Sequence, residues 1–141
     1  MTSRRGARRT AIDILYQSAL TEADPGLVLA EWLEAGRVVS PFTTELVEGV
    51  NAHLPEIDLL LEEHTQGWTV ARMATLDRTI LRVAVFELRH RPDVPPSVAI
   101  SEAVEAATAL SSEGSPRFVN GILGKIASEM RPAAAEDPGI A

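Results

Sequence analysis

The sequence contains no cysteine, which excludes disulfide bonds and thiolate metal sites. None of its apolar runs approaches the roughly 18 residues that a membrane-spanning helix needs. Its start, MTSRRGARRT, carries cations but lacks the apolar run of a signal peptide, so we expect a cytoplasmic protein. The 141 residues are enough for one ordinary domain with a hydrophobic core.

Motifs of catalysis are missing as well. The chain has no glycine-rich phosphate loop, no nucleophile elbow and no Cys/His nucleophile arrangement. Asp58, Glu62 and His64 lie close together in the sequence, but a solvated acidic face accounts for them better than a metal site does. We therefore expect no enzymatic activity, no cofactor and no bound metal.

Positive charge is concentrated at the start of the chain. The net charge is −7, yet residues 1–9 contain four arginines and no acid, while the remaining 132 residues contain nine cations and all 20 acids. A GC-rich genome would explain the use of arginine over lysine, but not this clustering. A basic segment on an acidic body is typical of nucleic-acid binding. The sequence therefore predicts a flexible arginine-rich arm over residues 1–9, formed by Arg4, Arg5, Arg8 and Arg9.

Helical periodicity is strongest over residues 75–91, which contain no glycine or proline. The apolar residues of this segment form one broad side and its charged residues a narrow stripe, which predicts a helix covered by several neighbours. Glu87 lies among the apolar positions, so its carboxylate must reach a rim or find hydrogen-bond donors. The segment is the predicted central helix of the fold.

Capping and breaking residues define the other helices. Ser40 and Ser115 each precede a proline and predict helix starts, and a break is expected near residues 53–54. Trp68 either packs at the entry to the central helix or opens a short turn. With no segment that alternates like a strand, the predicted fold is all-α, with about seven helices in one domain over residues 3–131. The last helix should end at Pro132, before a disordered tail over residues 132–141.

Two glycines lie in the interior of the last helix, on the side away from its apolar stripe. Gly121 and Gly124 each cost about 1 kcal/mol relative to alanine inside a helix, which indicates either a close helix crossing or a backbone approached by a ligand. Phe118 lies at the edge of the same stripe, beside Asn120 and Lys125. It is either a core residue or a platform on which an unpaired base stacks.

Five segments, in order, give the chain a resemblance to a known family. They are RRGARRTAIDILYQ, LVEGVNAHLPEID, LDRTILRVAVFEL, PPSVAISEAVEAA and, most specifically, SPRFVNGILGKI. The chain resembles the NusB family of bacterial transcription antitermination factors from residue 4 to about residue 131. The resemblance implies two three-helix subdomains around a long central helix. It also implies binding of the boxA element of nascent ribosomal RNA together with NusE, a small-subunit ribosomal protein, in a complex with other Nus factors on RNA polymerase. The implied outcome is suppression of premature Rho-dependent termination in ribosomal RNA operons.

The resemblance also assigns residues to the two binding surfaces. RNA binding is implied for the arm arginines and for Arg82, Phe118, Asn120 and Lys125. A surface facing NusE is implied at Tyr16 and Asp77, with Arg78 nearby. Family members often carry an acid at the position of Gly114, and some relatives form homodimers that would cover the arm.

Two alternative functions fit the same sequence. One is a protein-only helical adaptor or homodimer that does not bind RNA. The other is a stand-alone relative of the RNA-binding domain that precedes some ribosomal RNA cytosine methyltransferases. The second is disfavoured because no S-adenosylmethionine motif follows the helical region.

Overall fold

A computed structural model describes the backbone of residues 3–140 and the side chains of residues 3–130. Over this range the chain forms seven α-helices, one 3₁₀ turn and no strand, which confirms the predicted all-α fold. The helices are α1 (Arg4–Thr21), α2 (Pro25–Glu34), α3 (Pro41–Ala52), α4 (Leu54–Glu63), α5 (Thr75–His90), α6 (Pro96–Leu110) and α7 (Ser115–Ile140). None of them is long and apolar enough to cross a membrane.

Local side-chain caps set the starts of α1, α2 and α3. The Ser40 hydroxyl accepts a hydrogen bond from the Thr43 backbone N–H at the start of α3, as the Ser-Pro pair predicted. The break near residues 53–54 is also confirmed, because α4 begins at Leu54 directly after His53 ends α3.

The flexible arm is corrected for residues 4–9. These residues form the first part of α1, and Ser3 caps the helix by accepting a hydrogen bond from the Gly6 backbone N–H at 3.0 Å. Residues 1 and 2 lie outside the described part of the chain.

Helix α5 is the centre of the fold. It packs against α1, α3 and α4 on one side and against α6 and α7 on the other, and nine of its 16 residues are buried. Helices α1–α3 pack on one another, and α5–α7 do the same, so α5 joins two three-helix groups. The predicted central helix is therefore confirmed.

The close helix crossing occurs at a glycine that the sequence did not single out. A Cβ atom on Gly49 of α3 would overlap the Phe86 ring of α5, so the absence of a side chain lets the two helices approach. At Gly121 and Gly124, by contrast, a Cβ would meet none of the described atoms within 4 Å. A close helix crossing is therefore the wrong explanation for both glycines. The other explanation, a backbone that a ligand approaches, stays a prediction.

Helix α7 is assigned as far as Ile140, past the end predicted at Pro132. The predicted disordered tail, residues 132–141, lies outside the residues whose side chains are described, and it stays a prediction. Trp68 precedes the 3₁₀ turn Val70–Arg72, in agreement with the second of its two predicted positions. Its side chain is half-exposed.

Candidate nucleic-acid interface

Arg8 provides the hydrogen-bond donors that the sequence predicted for the Glu87 carboxylate. Its Nε and Nη2 atoms donate to the two carboxylate oxygens of Glu87 at 2.8 Å each, and only 1% of Glu87 is exposed. This buried pair fixes α1 on α5, and breaking such a pair leaves an uncompensated buried charge. The expectation that Arg8 contacts RNA is therefore corrected: its guanidinium is committed to the core.

The other arm arginines reach the surface. Arg5 donates from Nε and Nη2 to Glu102 at 3.1 and 2.9 Å, and its Nη2 atom lies 3.9 Å from Glu105. Arg9 is partly exposed and makes no ion pair with any residue whose side chain is described. Exposed ion pairs contribute only about 0–1 kcal/mol, so a polyanion can replace them.

Arg4 is held more weakly than Arg5. Its Nη1 atom lies 3.3 Å from Asp93 Oδ2, and its guanidinium lies over the Phe42 ring, 4.4 Å from the centroid. Asp93 already accepts two hydrogen bonds from Arg91, which lower the pKa of its carboxyl to about 2, with Arg4 adding a smaller effect. Since Arg91 would keep this carboxylate partnered, Arg4 is free to exchange it for a phosphate.

Glu102 is the main carboxylate facing the arm. The hydrogen bond from Arg5 lowers its pKa below the ordinary value; burial opposes this shift, and the nearby charges of Arg8 and Arg9 reinforce it. Glu102 is therefore ionised at neutral pH and occupies Arg5 as a phosphate would.

Arg82 lies apart from the arm. Its Nε and Nη2 atoms each donate to Asp58 of α4 at 2.8 Å, in a bidentate, partly buried pair. Arg82 lies five positions before Glu87 on α5, which places the two side chains about 140° apart around the helix. The Arg82 guanidinium is therefore paired within the chain and away from the arm, and RNA binding by Arg82 stays a prediction.

Phe118 lines an open cleft between α7 and the segment that follows α4. Part of its ring packs on the core, and the rest faces a space of about 340 Å³. The other lining residues are His64, Thr65, Gln66, Trp68, Arg117, Gly121, Ile122 and Lys125. We call this space the Trp68 cleft. It combines two aromatic rings with two exposed cations, which is the composition that stacks and neutralises single-stranded nucleic acid.

Sequence reasoning did not assign a binding role to Trp68 or Arg117. Tryptophan is usually well buried, so the half-exposed ring of Trp68 could not be anticipated from residue type. The Arg72 guanidinium lies 5.3 Å from the centroid of that ring. The sequence feature that came closest to indicating an exposed Trp68 was the loop TQGW. Gly67 in this loop adopts a positive φ of 78° and directly precedes the exposed ring.

Asn120 points to the other side of α7. It lines a shallow surface with Ser101, Val104, Glu105 and Thr108 of α6. Asn120 lies two positions after Phe118, which places it about 200° around the helix from that ring. Gly121 and Gly124 lie between these two sides, and because they have no side chains, the helix backbone is exposed there. We call this surface the α7 ridge, which comprises Arg117, Asn120, Gly121, Gly124 and Lys125.

His64 ties the end of α4 to α7 at the edge of the Trp68 cleft. Its Nδ1 atom lies 2.7 Å from the Leu60 carbonyl oxygen, and its Nε2 atom lies 3.0 Å from Glu129. Burial would lower the pKa of His64, but these two acceptors and the nearby Glu63 raise it above the ordinary value. Both ring nitrogens therefore act as donors when the imidazole is charged.

The NusB family model matches residues 5–128, which is most of the chain. The chain belongs to the NusB family. The transcription antitermination protein NusB of Saccharopolyspora erythraea is 50% identical over 135 residues, covering 90% of this chain and 88% of that protein. NusB of Symbiobacterium thermophilum is 41% identical, covering 98% of this chain and 97% of that protein.

Two solved structures share the NusB fold with this chain. T. maritima NusB superposes with a TM-score of 0.83 at 32% identity, over 95% of this chain and 97% of that one. A complex of the antitermination factors NusB and NusE with double-stranded RNA gives a TM-score of 0.79 at 28% identity, over 89% of this chain and 96% of that one.

Asp77, assigned by the NusB resemblance to the partner surface, has an internal role instead. Its carboxylate is 8% exposed and accepts hydrogen bonds from Ser111 at 2.6 Å and from Ser115 at 3.0 Å. These bonds join the start of α5 to the start of α7. The expectation that Asp77 faces NusE directly is therefore corrected.

Tyr16 and Arg78, the other residues that the resemblance assigns to a NusE-facing surface, are both partly exposed. The Nε atom of Arg78 is buried without a hydrogen-bond partner among the described residues, and its other contacts are long, at 3.4 and 3.5 Å. Burial and the nearby Arg82 lower the pKa of Arg78. Tyr16 is partly exposed on α1, and because α1 runs antiparallel to α5, it lies toward the half of α5 that carries Arg78.

Proposed function

We propose that this chain is a transcription antitermination factor that binds boxA RNA of nascent ribosomal RNA transcripts together with NusE. As part of the Nus complex on RNA polymerase, it suppresses premature Rho-dependent termination in ribosomal RNA operons. The observation that carries the proposal is the family match over residues 5–128, with relatives named as antitermination proteins. The function consists of binding in the cytoplasm, where bacterial transcription occurs, and includes no catalytic step.

The geometry supports one RNA path across the molecule. It begins at the exposed arm arginines, of which Arg5 already lies beside Glu105. Glu105 and Asn120 line the same shallow surface, and the glycines of the α7 ridge lead from there to the Trp68 cleft. No side chain projects from Gly121 or Gly124, so a backbone can cross the helix there.

Each part of this path does different work. The guanidiniums of Arg4, Arg5 and Arg9 neutralise phosphates, which supplies salt-dependent affinity. Trp68 and Phe118 offer faces on which unpaired bases stack, while Asn120 supplies donors and acceptors for a base edge. The excess of acids over the rest of the chain repels RNA elsewhere and confines binding to this path.

NusE binds on the side of Tyr16 and Arg78 in this proposal. Arg78 has donors without good partners, so a carboxylate or carbonyl on the partner would satisfy them. The solved complex of NusB and NusE with double-stranded RNA, whose NusB fold matches this chain, supports joint binding. If NusE enlarges the RNA surface, RNA and NusE strengthen each other's binding to the same degree.

A gel-shift assay tests the proposal. The full chain is titrated onto a boxA oligonucleotide and onto a scrambled oligonucleotide of the same composition, with and without NusE. We expect tighter binding to boxA, and a further gain when NusE is present. Equal binding to both RNAs, or no shift at all alongside a stable homodimer, would support the protein-only adaptor instead.

A further inference from the structure

Two of the three histidines in the chain lie next to the same carboxylate, at the end of α5 that is farther from Asp77 and Arg78. His53 is the residue between α3 and α4, Glu56 lies in the first turn of α4, and His90 is the last residue of α5. This cluster takes no part in the proposed RNA path or NusE surface. It is also separate from Asp58, Glu62 and His64, which engage Arg82, the Val70 N–H and Glu129.

The distances within the cluster match those among ligands of one metal ion. The Nδ1 atom of His53 lies 3.5 Å from Oε1 of Glu56, and the Nε2 atom of His90 lies 3.1 Å from the same oxygen. All three ligand atoms lie within 4.8 Å of one another. Tetrahedral zinc with bonds of about 2.0–2.1 Å requires ligand atoms roughly 3.3 Å apart. The two nitrogen–oxygen distances of the cluster are thus already close to this spacing.

The surroundings hold the ligands in place. The Nε atom of Arg89 donates to the second oxygen of Glu56 at 3.0 Å, which orients the carboxylate and leaves Oε1 for the histidines. The Phe86 ring stacks on His90 with centroids 5.4 Å apart. The two imidazoles are stacked at 3.9 Å, so binding an ion requires their rings to tilt apart, a side-chain movement at a partly exposed site.

We propose that His53, Glu56 and His90 form a binding site for a divalent transition-metal ion, with Zn²⁺ as the ion that fits best. Two imidazoles and one carboxylate are a zinc ligand set, whereas calcium and magnesium prefer oxygen ligands throughout. Solvent completes the coordination, because all three residues are partly exposed. The ion joins the corner between α3 and α4 to the end of α5, and therefore stabilises the folded chain.

The test is a titration of the full chain with ZnCl₂ in a buffer without phosphate, followed by calorimetry and by thermal unfolding. We expect one saturable site and a Tm that rises with zinc concentration. His90→Ala and Glu56→Gln should each weaken binding by at least about tenfold, since even outer partners of metal ligands are worth ~10–100-fold. Co²⁺ in place of Zn²⁺ should give visible d–d absorption in the unmodified chain, and much less in the His90→Ala and Glu56→Gln variants at the same cobalt concentration.

His64→Gln is the matched control, because it removes the one histidine outside the cluster and should leave the zinc affinity unchanged. Circular dichroism establishes that each variant is folded, and His53→Gln replaces His90→Ala if the latter is not. The proposal is overturned if zinc binds the His90 or Glu56 variants as tightly as the original chain. It is also overturned if zinc shows no saturable binding, or if His64→Gln alone abolishes it.

Discussion

Arg8 and Arg9 are neighbours in the sequence, yet Arg9 is partly exposed, while the guanidinium of Arg8 is buried on Glu87. Arg8→Ala would leave the Glu87 carboxylate buried without a partner. We expect it to lower the free energy of unfolding by about 3–5 kcal/mol. Arg9→Ala, the matched control, should change it by less than about 0.5 kcal/mol. Urea unfolding followed by circular dichroism measures both, and equal losses would contradict a structural role specific to Arg8.

The sequence was enough to predict that the Glu87 carboxylate needs hydrogen-bond donors, because its apolar neighbours belong to the same helix. It was not enough to identify Arg8 as the donor, since the partner comes from a helix 79 residues away. The prediction that Asp77 is exposed was wrong for the same reason. Its position on the charged stripe indicated exposure, but the hydroxyls of Ser111 and Ser115 come from a distant loop and enclose it.

Trp68 provides a second test at the residue scale. If a base stacks on its half-exposed ring, Trp68→Ala should weaken boxA binding by about 1–3 kcal/mol. The salt dependence of binding should not change, because the ring carries no charge. Trp68→Phe should restore most of the affinity, and Trp32→Ala on α2 is the control for loss of a tryptophan elsewhere. An affinity that responds equally to the loss of either tryptophan would exclude a specific stacking site.

Helix α6 presents carboxylates that compete with RNA for the arm. Glu102→Gln frees Arg5 from its main partner, and exposed pairs of this kind contribute about 0.2–1 kcal/mol. We therefore expect boxA to bind up to about fivefold more tightly. Glu113→Gln removes one negative charge from an exposed loop residue outside the ion pairs of the described chain, and it controls for net charge. If the two variants gain equally in a filter-binding assay, direct competition is not the cause.

The contact between α4 and α7 through His64 should depend on pH. Its pKa is raised in the folded state above the ordinary 6.5, so the stabilisation is complete below about 6.5 and is lost as the pH rises through the folded-state pKa. The effect is small, because Glu129 is largely exposed. Tm should therefore fall from pH 6 toward pH 8 more steeply for the unmodified chain than for His64→Gln. Parallel curves would show that this histidine does not contribute.

Helix bounds could be predicted well where the signals are local. Ser40 caps α3 and proline follows it, and both facts can be read from adjacent residues. The arm was misjudged because a cluster of like charges suggested disorder, whereas the Ser3 cap and the acids on α6 and in the preceding loop allow a helix. The role of a glycine depends on which element faces it. Gly49 meets Phe86, while Gly121 faces open space, and neither fact can be read from the glycine's own helix.

On the scale of the whole molecule, α5 separates the proposed binding functions. The arm packs on the side of α5 that carries Glu87, whereas Arg82 and the neighbouring Arg78 lie on another side. RNA can therefore occupy the arm and the α7 ridge while a protein partner occupies the surface near Arg78. The two ligands need not compete, and each can stabilise the fold that presents the other's surface.

The salt dependence of RNA binding follows from which arginines are accessible. Each phosphate neutralised on a single strand contributes about −0.7 to the slope of log K against log salt. Since Arg8 is buried, only Arg4, Arg5 and Arg9 contribute from the arm, which gives about −2 rather than the −3 expected from four arginines. The triple alanine variant should therefore flatten the slope by about 2, measured by fluorescence anisotropy across a salt series.

The control for this measurement removes two exposed arginines that lie off the RNA path, Arg37 and Arg89, both of which have partners of their own. Because these residues contact no phosphate in the proposed path, their double alanine variant should keep the original slope, although it makes the net charge of −7 more negative. A slope that falls by the same amount per arginine in both variants would mean that RNA responds only to total charge. A slope unchanged in the triple variant would remove the arm from the interface, and binding would then depend on the cations of the Trp68 cleft, Arg117 and Lys125.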